Sequence, residues 1–302
     1  MTPIAIILVG TAAALHAIWN LLGKRQNPSA AFFLIATLAA VVALSPLLIY
    51  HRQVLAIIPS SVWRLIVVSS VFEVIYYTAL AGAYRNGEMS LVYPLARALP
   101  VLMITTVSEL LGVGKPISPW GLVGIVAVVA GCLILPMRTL REIRLNNYRH
   151  RWCLLAIIAA VGTTGYTLID NEALKQMRAL PGTGMGTVEV TVFYLAITSV
   201  VIAAYMSVYV ALYRPERSRL RELRQKGMSS AITAGLIIAV GYSMVLVAMA
   251  FTSNVSYIAA FRQLSIPLGA MLGIVVQKEP LTAPKVVGTA IALAGLVLVA
   301  VT

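Results

Sequence analysis

The chain has 302 residues, of which 60% are hydrophobic and 11% charged, and its formal net charge is +13. A soluble domain of this length could not bury so much apolar surface, so the composition indicates a membrane protein. The positive charge does not indicate nucleic-acid binding, because the basic residues fall in short gaps between apolar runs rather than on one face or tail.

Ten apolar runs follow one another along the chain, each near the length of about 20 residues that one helical crossing needs. They cover approximately residues 3–22, 29–50, 62–84, 89–111, 118–137, 152–171, 188–211, 229–250, 254–276 and 284–301. The first run lacks the basic start of a signal peptide, so we expect a first transmembrane helix there. The sequence therefore predicts an all-α polytopic membrane protein with ten transmembrane helices.

A weak internal repeat relates the two halves of the chain. An offset of 164 residues relates 115–118 (Lys-Pro-Ile-Ser) to 279–282 (Glu-Pro-Leu-Thr), Gly124 to Gly288, and Gly131 to Gly295. Because each half has an odd number of runs, the halves must face opposite ways, which predicts two inverted five-helix repeats as in secondary transporters. We assign residues 1–138 to the first repeat, 139–151 to a basic connecting loop and 152–302 to the second repeat.

Each half contains one arginine inside an apolar run, Arg97 in the fourth and Arg262 in the ninth. A charge at membrane depth costs about 3 kcal/mol on insertion scales, so it usually has a partner or a function. Arg97 lies between Pro94 and Pro100, and prolines permit kinks where a helix lines a cavity. We predict that both guanidinium groups face a central cavity and bind an anionic group; the alternative is a structural ion pair.

Further polar and aromatic residues inside the runs complete a candidate substrate-binding site. His16 and Asn20 share one face of the first helix, next to Trp19, and Glu73 and Tyr77 share one face of the third. Their alternative role is hydrogen bonding between helices as packing contacts. The remaining candidates are Tyr93, Tyr166, Tyr242 and Gln263.

Glu73 is the candidate coupling residue, because a carboxylate in the middle of a span must be protonated, paired or in contact with water. It can carry a proton, bind a substrate ammonium group, or form a fixed salt bridge with Arg97 or Arg262. Asp170 falls at the end of the sixth run, where we expect solvation at the membrane interface.

No catalytic or metal-binding set is recognisable in the sequence. Cys132 and Cys153 lack a CxxC pattern or a histidine pair and are interpreted as buried structural thiols. The glycine-rich stretch 181–187 lacks the Lys-Ser/Thr of a phosphate loop. We therefore expect no enzyme activity, no cofactor and no metal. An enzyme acting on lipid-linked substrates and a membrane protein that does not transport are the rival hypotheses.

Loop charges predict the orientation of the chain. Of its 23 Lys and Arg residues, 16 follow odd-numbered runs and five follow even-numbered ones. The positive-inside rule therefore places the odd loops in the cytoplasm and both termini outside. The basic segment 214–226 contains Leu220 and Leu223 and is interpreted either as an amphipathic helix along anionic headgroups or as a solvated loop.

Small residues recur four apart in three runs, which predicts close helix packing within a monomer or between the subunits of a homodimer. The pairs are Ala127 and Gly131, Gly269 and Gly273, and Gly288 and Ala292.

The pattern Pro267, 279–282, Gly288 and Gly295 at the end of the second half resembles the EamA-type proteins of the drug/metabolite transporter superfamily. The resemblance implies a bundle whose spans 1, 3, 4, 6, 8 and 9 surround a central substrate cavity, alternating access without ATP, and cytoplasmic termini. Two strings, 16–20 and 84–97, resemble a subgroup with members labelled as phosphonate-utilisation-associated membrane proteins. The first half departs from the pattern, with Lys115 where the second has Glu279.

The sequence thus predicts a multi-pass secondary active transporter of the cytoplasmic (inner) membrane. Its expected substrate is a small polar metabolite, such as an amino acid or related organic solute, moved outward and coupled to protons through Glu73. A permease for phosphonates or other organic anions is the alternative transport function.

Overall fold

The computed structural model describes residues 1–23, 29–86, 89–112, 114–135, 137, 151–277 and 280–301. Every regular element in these ranges is helical. The α-helices are α1 (Pro3–Gly23), α2 (Ala30–Tyr50), α3 (Val54–Ile57), α4 (Ser60–Asn86), α5 (Met89–Leu110), α6 (Pro119–Ile134), α7 (Arg151–Arg178), α8 (Thr187–Leu212), α9 (Arg214–Lys226), α10 (Ser229–Ala248), α11 (Val255–Phe261), α12 (Ser265–Gln277) and α13 (Ala283–Val301). Short 3-10 turns occupy Met249–Phe251 and Arg262–Leu264.

Seven helical segments in the described ranges are long and apolar enough to cross a membrane. They are Ala30–Tyr50, Ser60–Arg85, Arg151–Arg178, Thr187–Leu212, Ser229–Phe251, Val255–Leu272 and Ala283–Val301. Pro3–Ile18 and Pro119–Ile134 are shorter apolar helices. The all-α, multi-pass membrane class is therefore confirmed, whereas the number of crossings and the inverted repeat stay predictions. Most of the connecting loop, residues 139–150, lies outside the described residues.

The prolines of the fourth and ninth runs have different effects on their helices. Helix α5 continues through Pro94 and Pro100 without a break. The ninth run, by contrast, is interrupted by the turn Arg262–Leu264 between α11 and α12. Pro267 lies in the first turn of α12, where a missing backbone N–H costs least, so the interruption falls just before it.

Helices α6 and α13 pack closely through glycines. A Cβ atom added to Gly131 would lie 2.5 Å from the backbone nitrogen of Ala292, and one added to Gly288 would lie 2.7 Å from that of Leu135. The predicted close packing is therefore confirmed at these two positions. Gly269 makes no such contact within the chain, since its Cβ position has no described atom within 4 Å, and its packing between subunits stays a prediction. The spacing alone does not reveal whether a small residue faces a neighbouring helix.

Substituting Gly131 by alanine should destabilise the fold by roughly 1–3 kcal/mol, because the added methyl group overlaps the backbone of α13. The matched control is Gly269→Ala, which has room for its methyl group and gains helix propensity. The midpoint of thermal unfolding in detergent measures both. Equal midpoints for the two variants would contradict the close α6–α13 contact.

Helix α9 is attached to the bundle by one buried carboxylate. Glu216, 1% exposed, accepts a hydrogen bond of 3.0 Å from the backbone N–H of Ala31 in the first turn of α2. It also pairs with Arg85 at 3.3 Å and with Arg219. A negative charge at a helix N-terminus is favourable, so Glu216 connects α9, α4 and the start of α2. Segment 214–226 is a helix, and its Leu220 packs against the core; its position along anionic headgroups stays a prediction.

Glu216→Gln should release α9, because a neutral amide cannot satisfy two guanidinium groups and the helix end together. We expect trypsin to cleave within α9 roughly tenfold faster, since cleavage follows local unfolding. Glu222→Gln is the matched control on the same helix, where the carboxylate pairs with the exposed Lys226 at 2.5 Å. Unchanged cleavage of the Glu216 variant would argue against this attachment.

The first and last described residues lie at the same end of the bundle. The amino group of Met1 donates to the backbone oxygen of Ala300 at 3.3 Å, and Thr2 donates to the oxygen of Phe251 at 2.7 Å. Arg85 and α9 lie at the other end, which we call the basic end. The 27 residues of α4 separate the two ends by about 40 Å.

Candidate functional site

A central cavity enclosing about 600 Å³ of atom-free space, its open mouth included, lies inside the bundle. Helices α1, α2, α4, α5, α7 and α10 and the turn at Arg262 surround it. Its lining consists of His16, Phe33, Glu73, Tyr76, Tyr77, Leu80, Tyr84, Arg97, Tyr166, Ile238, Tyr242 and Arg262. Helix α4 contributes the longest stripe, which runs about 16 Å from Tyr84 to Glu73.

Arg97 and Arg262 both face this cavity from different halves of the chain. Arg97 Nη2 donates a hydrogen bond of 3.0 Å to the hydroxyl oxygen of Ser265, which follows the turn that carries Arg262. This contact joins α5 to the interruption in the ninth run. Arg97 is therefore held next to the turn that carries Arg262, and both guanidinium groups line the space in which an anion would bind.

Arg262 is stabilised by an aromatic ring rather than by a carboxylate. Its side chain is 7% exposed, and its guanidinium carbon lies 5.8 Å from the ring centroid of Tyr242. Within the described part of the chain it forms no salt bridge, so the fixed pair with Glu73 considered from the sequence is not present. A cation–π contact neutralises no charge, which leaves Arg262 able to bind an anion.

Five aromatic rings form a continuous arc along the cavity wall. Phe33 stacks on Tyr77 with centroids 4.7 Å apart, and Tyr76 follows at 5.2 Å from Tyr77. Tyr166 packs edge-on against Tyr76 and against Tyr242, at 5.8 Å in each case. The arc ends at the tyrosine beneath Arg262. Rings packed in this way stiffen a wall, because each one limits the rotamers of the next.

Glu73 lies on the same wall, where its Oε1 accepts a hydrogen bond of 3.1 Å from the Tyr77 hydroxyl. This is its one hydrogen bond in the described part of the chain. An ionised carboxylate can accept several hydrogen bonds, so Glu73 keeps capacity for a proton or a cationic group in the cavity.

Behind the arc, Asp170 joins four helices. It is 2% exposed and accepts hydrogen bonds from the hydroxyl groups of Ser69 on α4, Tyr194 on α8 at 2.6 Å and Tyr242 on α10 at 2.5 Å. The expectation that Asp170 is solvated at the membrane interface is therefore wrong. The sixth run ends near this residue in hydropathy, but α7 continues to Arg178.

Some predicted residues are not brought to the cavity. Gln263 is buried and donates a hydrogen bond of 3.1 Å to the backbone oxygen of Ala259, and it is not part of the lining. The side chains of Trp19, Asn20 and Tyr93 lie outside the described part of the chain. His16, Tyr77, Tyr166 and Tyr242 do line the cavity.

The described residues contain no group of three His, Cys, Asp or Glu side chains that could bind a metal ion. Cys132 and Cys153 are both buried, in agreement with their interpretation as structural thiols.

Three lining residues, Phe33, Leu80 and Ile238, gave no sequence signal, because an apolar side chain in a span is equally compatible with lipid, core and cavity. For Asp170 the sequence does contain a signal of its position in the bundle. It lies four residues after Tyr166, so on a continuing helix it shares a face with a cavity residue.

Comparison with known proteins identifies a fold and no function. No family model matches the chain, and no curated protein is similar to it. Its fold is similar to that of 27 chains of solved structure. One of them, described only as "Crystal structure of protein", aligns with a TM-score of 0.67 and 16% sequence identity over 98% of this chain and 97% of the other. The architecture is thus shared along the whole chain, which carries no information about substrate.

Proposed function

We propose that the protein is a secondary active transporter that moves a small polar metabolite, such as an amino acid or related organic solute, across the cytoplasmic membrane by alternating access. The observation that carries this proposal is the meeting of Arg97 and Arg262, one from each half, in one buried cavity. Intramembrane charges facing a cavity mark substrate and ion pathways, because their cost requires a function. The lining offers two guanidinium groups, one carboxylate and an aromatic wall to a solute.

An inverted repeat is supported by the contacts between α6 and α13. A Cβ atom added to Gly124 would lie 2.9 Å from the oxygen of Gly295, and one added to Gly131 would lie 2.6 Å from that of Gly288. The offset of 164 residues converts Gly124 to Gly288 and Gly131 to Gly295. Exchanging the halves therefore converts one contact into the other, as a pseudo-twofold axis between inverted repeats requires.

An even number of crossings between Met1 and Ala300, as ten would be, is supported by the positions of these two residues. Met1 and Ala300 meet at one end of the bundle, and a chain that begins and ends on one side crosses an even number of times. Positive-inside reasoning applied to Arg85 and α9 gives outside termini. A reporter fused to the C-terminus should then be active only outside; activity inside would favour the orientation that the EamA resemblance implies.

Flux into sealed proteoliposomes tests the function. We expect purified protein to move at least one of glutamate, leucine, acetate or methylphosphonate faster than protein-free vesicles do, and a pH gradient to accelerate it. Glu73→Gln should abolish the pH-driven flux, because the amide cannot carry a proton. Glu172→Gln is the control. The Glu172 carboxylate accepts a hydrogen bond of 2.9 Å from Gln176 and is not part of the cavity lining.

Two results would count against the proposal. No flux of any of these solutes would contradict transport of small polar metabolites. Flux of wild-type size in Glu73→Gln would remove this carboxylate from coupling.

A permease for organic anions is the second candidate, and the charge of the lining favours it. Two guanidinium groups and one carboxylate leave the cavity with an excess of positive charge when Glu73 is ionised. Preference for methylphosphonate and acetate over leucine in the same assay would select this function.

A further inference from the structure

A second, partly open chamber adjoins the central cavity between α2, α4, α8 and α10, with about 400 Å³ of atom-free space, its open side included. Four residues line both spaces: Glu73, Tyr77, Ile238 and Tyr242. The chamber is therefore adjacent to the site of the two arginines, and a molecule that occupies both spaces must pass the Tyr77 and Tyr242 rings.

The surface of the second chamber is mainly apolar, although Thr37 and Ser199 are among its lining residues. Thr37 donates its hydroxyl to the backbone oxygen of Phe33 at 2.9 Å, and Ser199 donates to that of Leu195 at 2.7 Å. Both donors are therefore used within their own helices. What remains beside Glu73 is methyl and methylene surface, which interacts favourably with a hydrocarbon group.

Small residues create the space. Ala36, Ala40 and Ala239 line the chamber where larger side chains would fill it. Two of its walls are in close contact, since a Cβ atom added to Gly235 would lie 2.1 Å from the backbone oxygen of Ala36. The close contact of α2 with α10 therefore fixes the width of the chamber.

We infer that the chamber binds the apolar substituent of an organic anion whose charged group lies between Arg97 and Arg262. This inference rests on the proposed function and names the substrate class of its site: small amphipathic anions rather than uniformly polar ones. The charged group gains charge-assisted hydrogen bonds in the first space, and the hydrocarbon part leaves water in the second.

Binding of a homologous series of carboxylates to the purified protein in nanodiscs tests the inference. For acetate, butanoate, hexanoate and octanoate, affinity should rise by roughly fourfold per methylene until the chamber is full. Ala239→Leu fills the chamber, so this variant should bind acetate as the wild type does and lose the gain with chain length.

Val240→Leu is the matched control, because this neighbouring side chain is 50% exposed on the outer surface and does not line the chamber. It should keep the full gain, which shows that the loss in Ala239→Leu comes from filling the chamber and not from an added leucine on α10. Ala40→Leu repeats the test from α2 if the first variant does not fold.

Three outcomes would overturn the inference. Equal affinity for all four carboxylates would leave the anion site, and the proposed function, without an apolar subsite. A gain that survives both chamber-filling variants would place the hydrocarbon elsewhere. A phospholipid that copurifies with the wild type and is lost in Ala239→Leu, detected by native mass spectrometry, would make the chamber a lipid site. Binding of none of the carboxylates, acetate included, would instead contradict the anion site itself.

Discussion

Asp170→Ala is expected to lower the free energy of unfolding by on the order of 3–5 kcal/mol, because it leaves three buried hydroxyl donors without their acceptor. These donors come from α4, α8 and α10, so the loss affects the joint between four helices. Asp170→Asn keeps one acceptor oxygen and should cost less. Reversible unfolding in mixed detergent micelles measures the difference.

Glu172→Ala is the control for this experiment. It removes a partly exposed carboxylate two residues further along α7, which accepts a hydrogen bond from Gln176. We expect its effect to stay within about 0.5 kcal/mol, as is usual for surface substitutions. Comparable stability of Asp170→Ala and Glu172→Ala would show that the hydroxyl groups find other partners, and Asp170 would lose its structural role.

Arg97→Ala and Arg262→Ala should each weaken binding of acetate and methylphosphonate by on the order of a hundredfold and abolish their flux, because each removes charge-assisted hydrogen bonds made inside the membrane. Lysine at either position keeps the charge and loses the planar pair of donors, so we expect an intermediate loss. Isothermal titration and proteoliposome flux measure the two effects separately.

Arg64→Ala provides the cationic control, since Arg64 is exposed near the end of α4 opposite the basic end. It should change neither affinity nor flux. Wild-type affinity in both cavity variants, with the fold intact by thermal unfolding, would remove the guanidinium groups from the site and with them the chemical basis of the proposed function.

Helix ends were predictable where the apolar run and the helix end at nearly the same residue. The runs 29–50, 188–211 and 284–301 agree closely with α2, α8 and α13, because turns follow directly where the apolar residues end. Helix α7 was underestimated for the opposite reason. Hydropathy falls after Asp170, but Glu172 and Lys175 have good helix propensity, so the backbone continues as a helix.

The residues of the candidate site were predictable where burying their charge in a membrane span is costly. Arg97, Arg262 and Glu73 could be selected because an isolated charge in a span is expensive, and all three line the cavity. Apolar lining has no such cost, so Phe33 could not be distinguished from a lipid-facing residue. Gly269 has the spacing of a packing motif but no described atom of a neighbouring helix within 4 Å of its Cβ position. Whether a small residue meets another helix depends on that second helix, and the sequence of one helix does not contain this information.

Tyr242 belongs to two systems at once, since its ring lies beneath Arg262 and its hydroxyl group is bonded to Asp170. Thermodynamic linkage is reciprocal. If a solute that contacts the Tyr242 ring changes the stability of the four-helix joint, then a change in the joint must change the binding free energy of the solute by the same amount. A substitution at the joint is therefore expected to change the affinity for a solute that it does not touch.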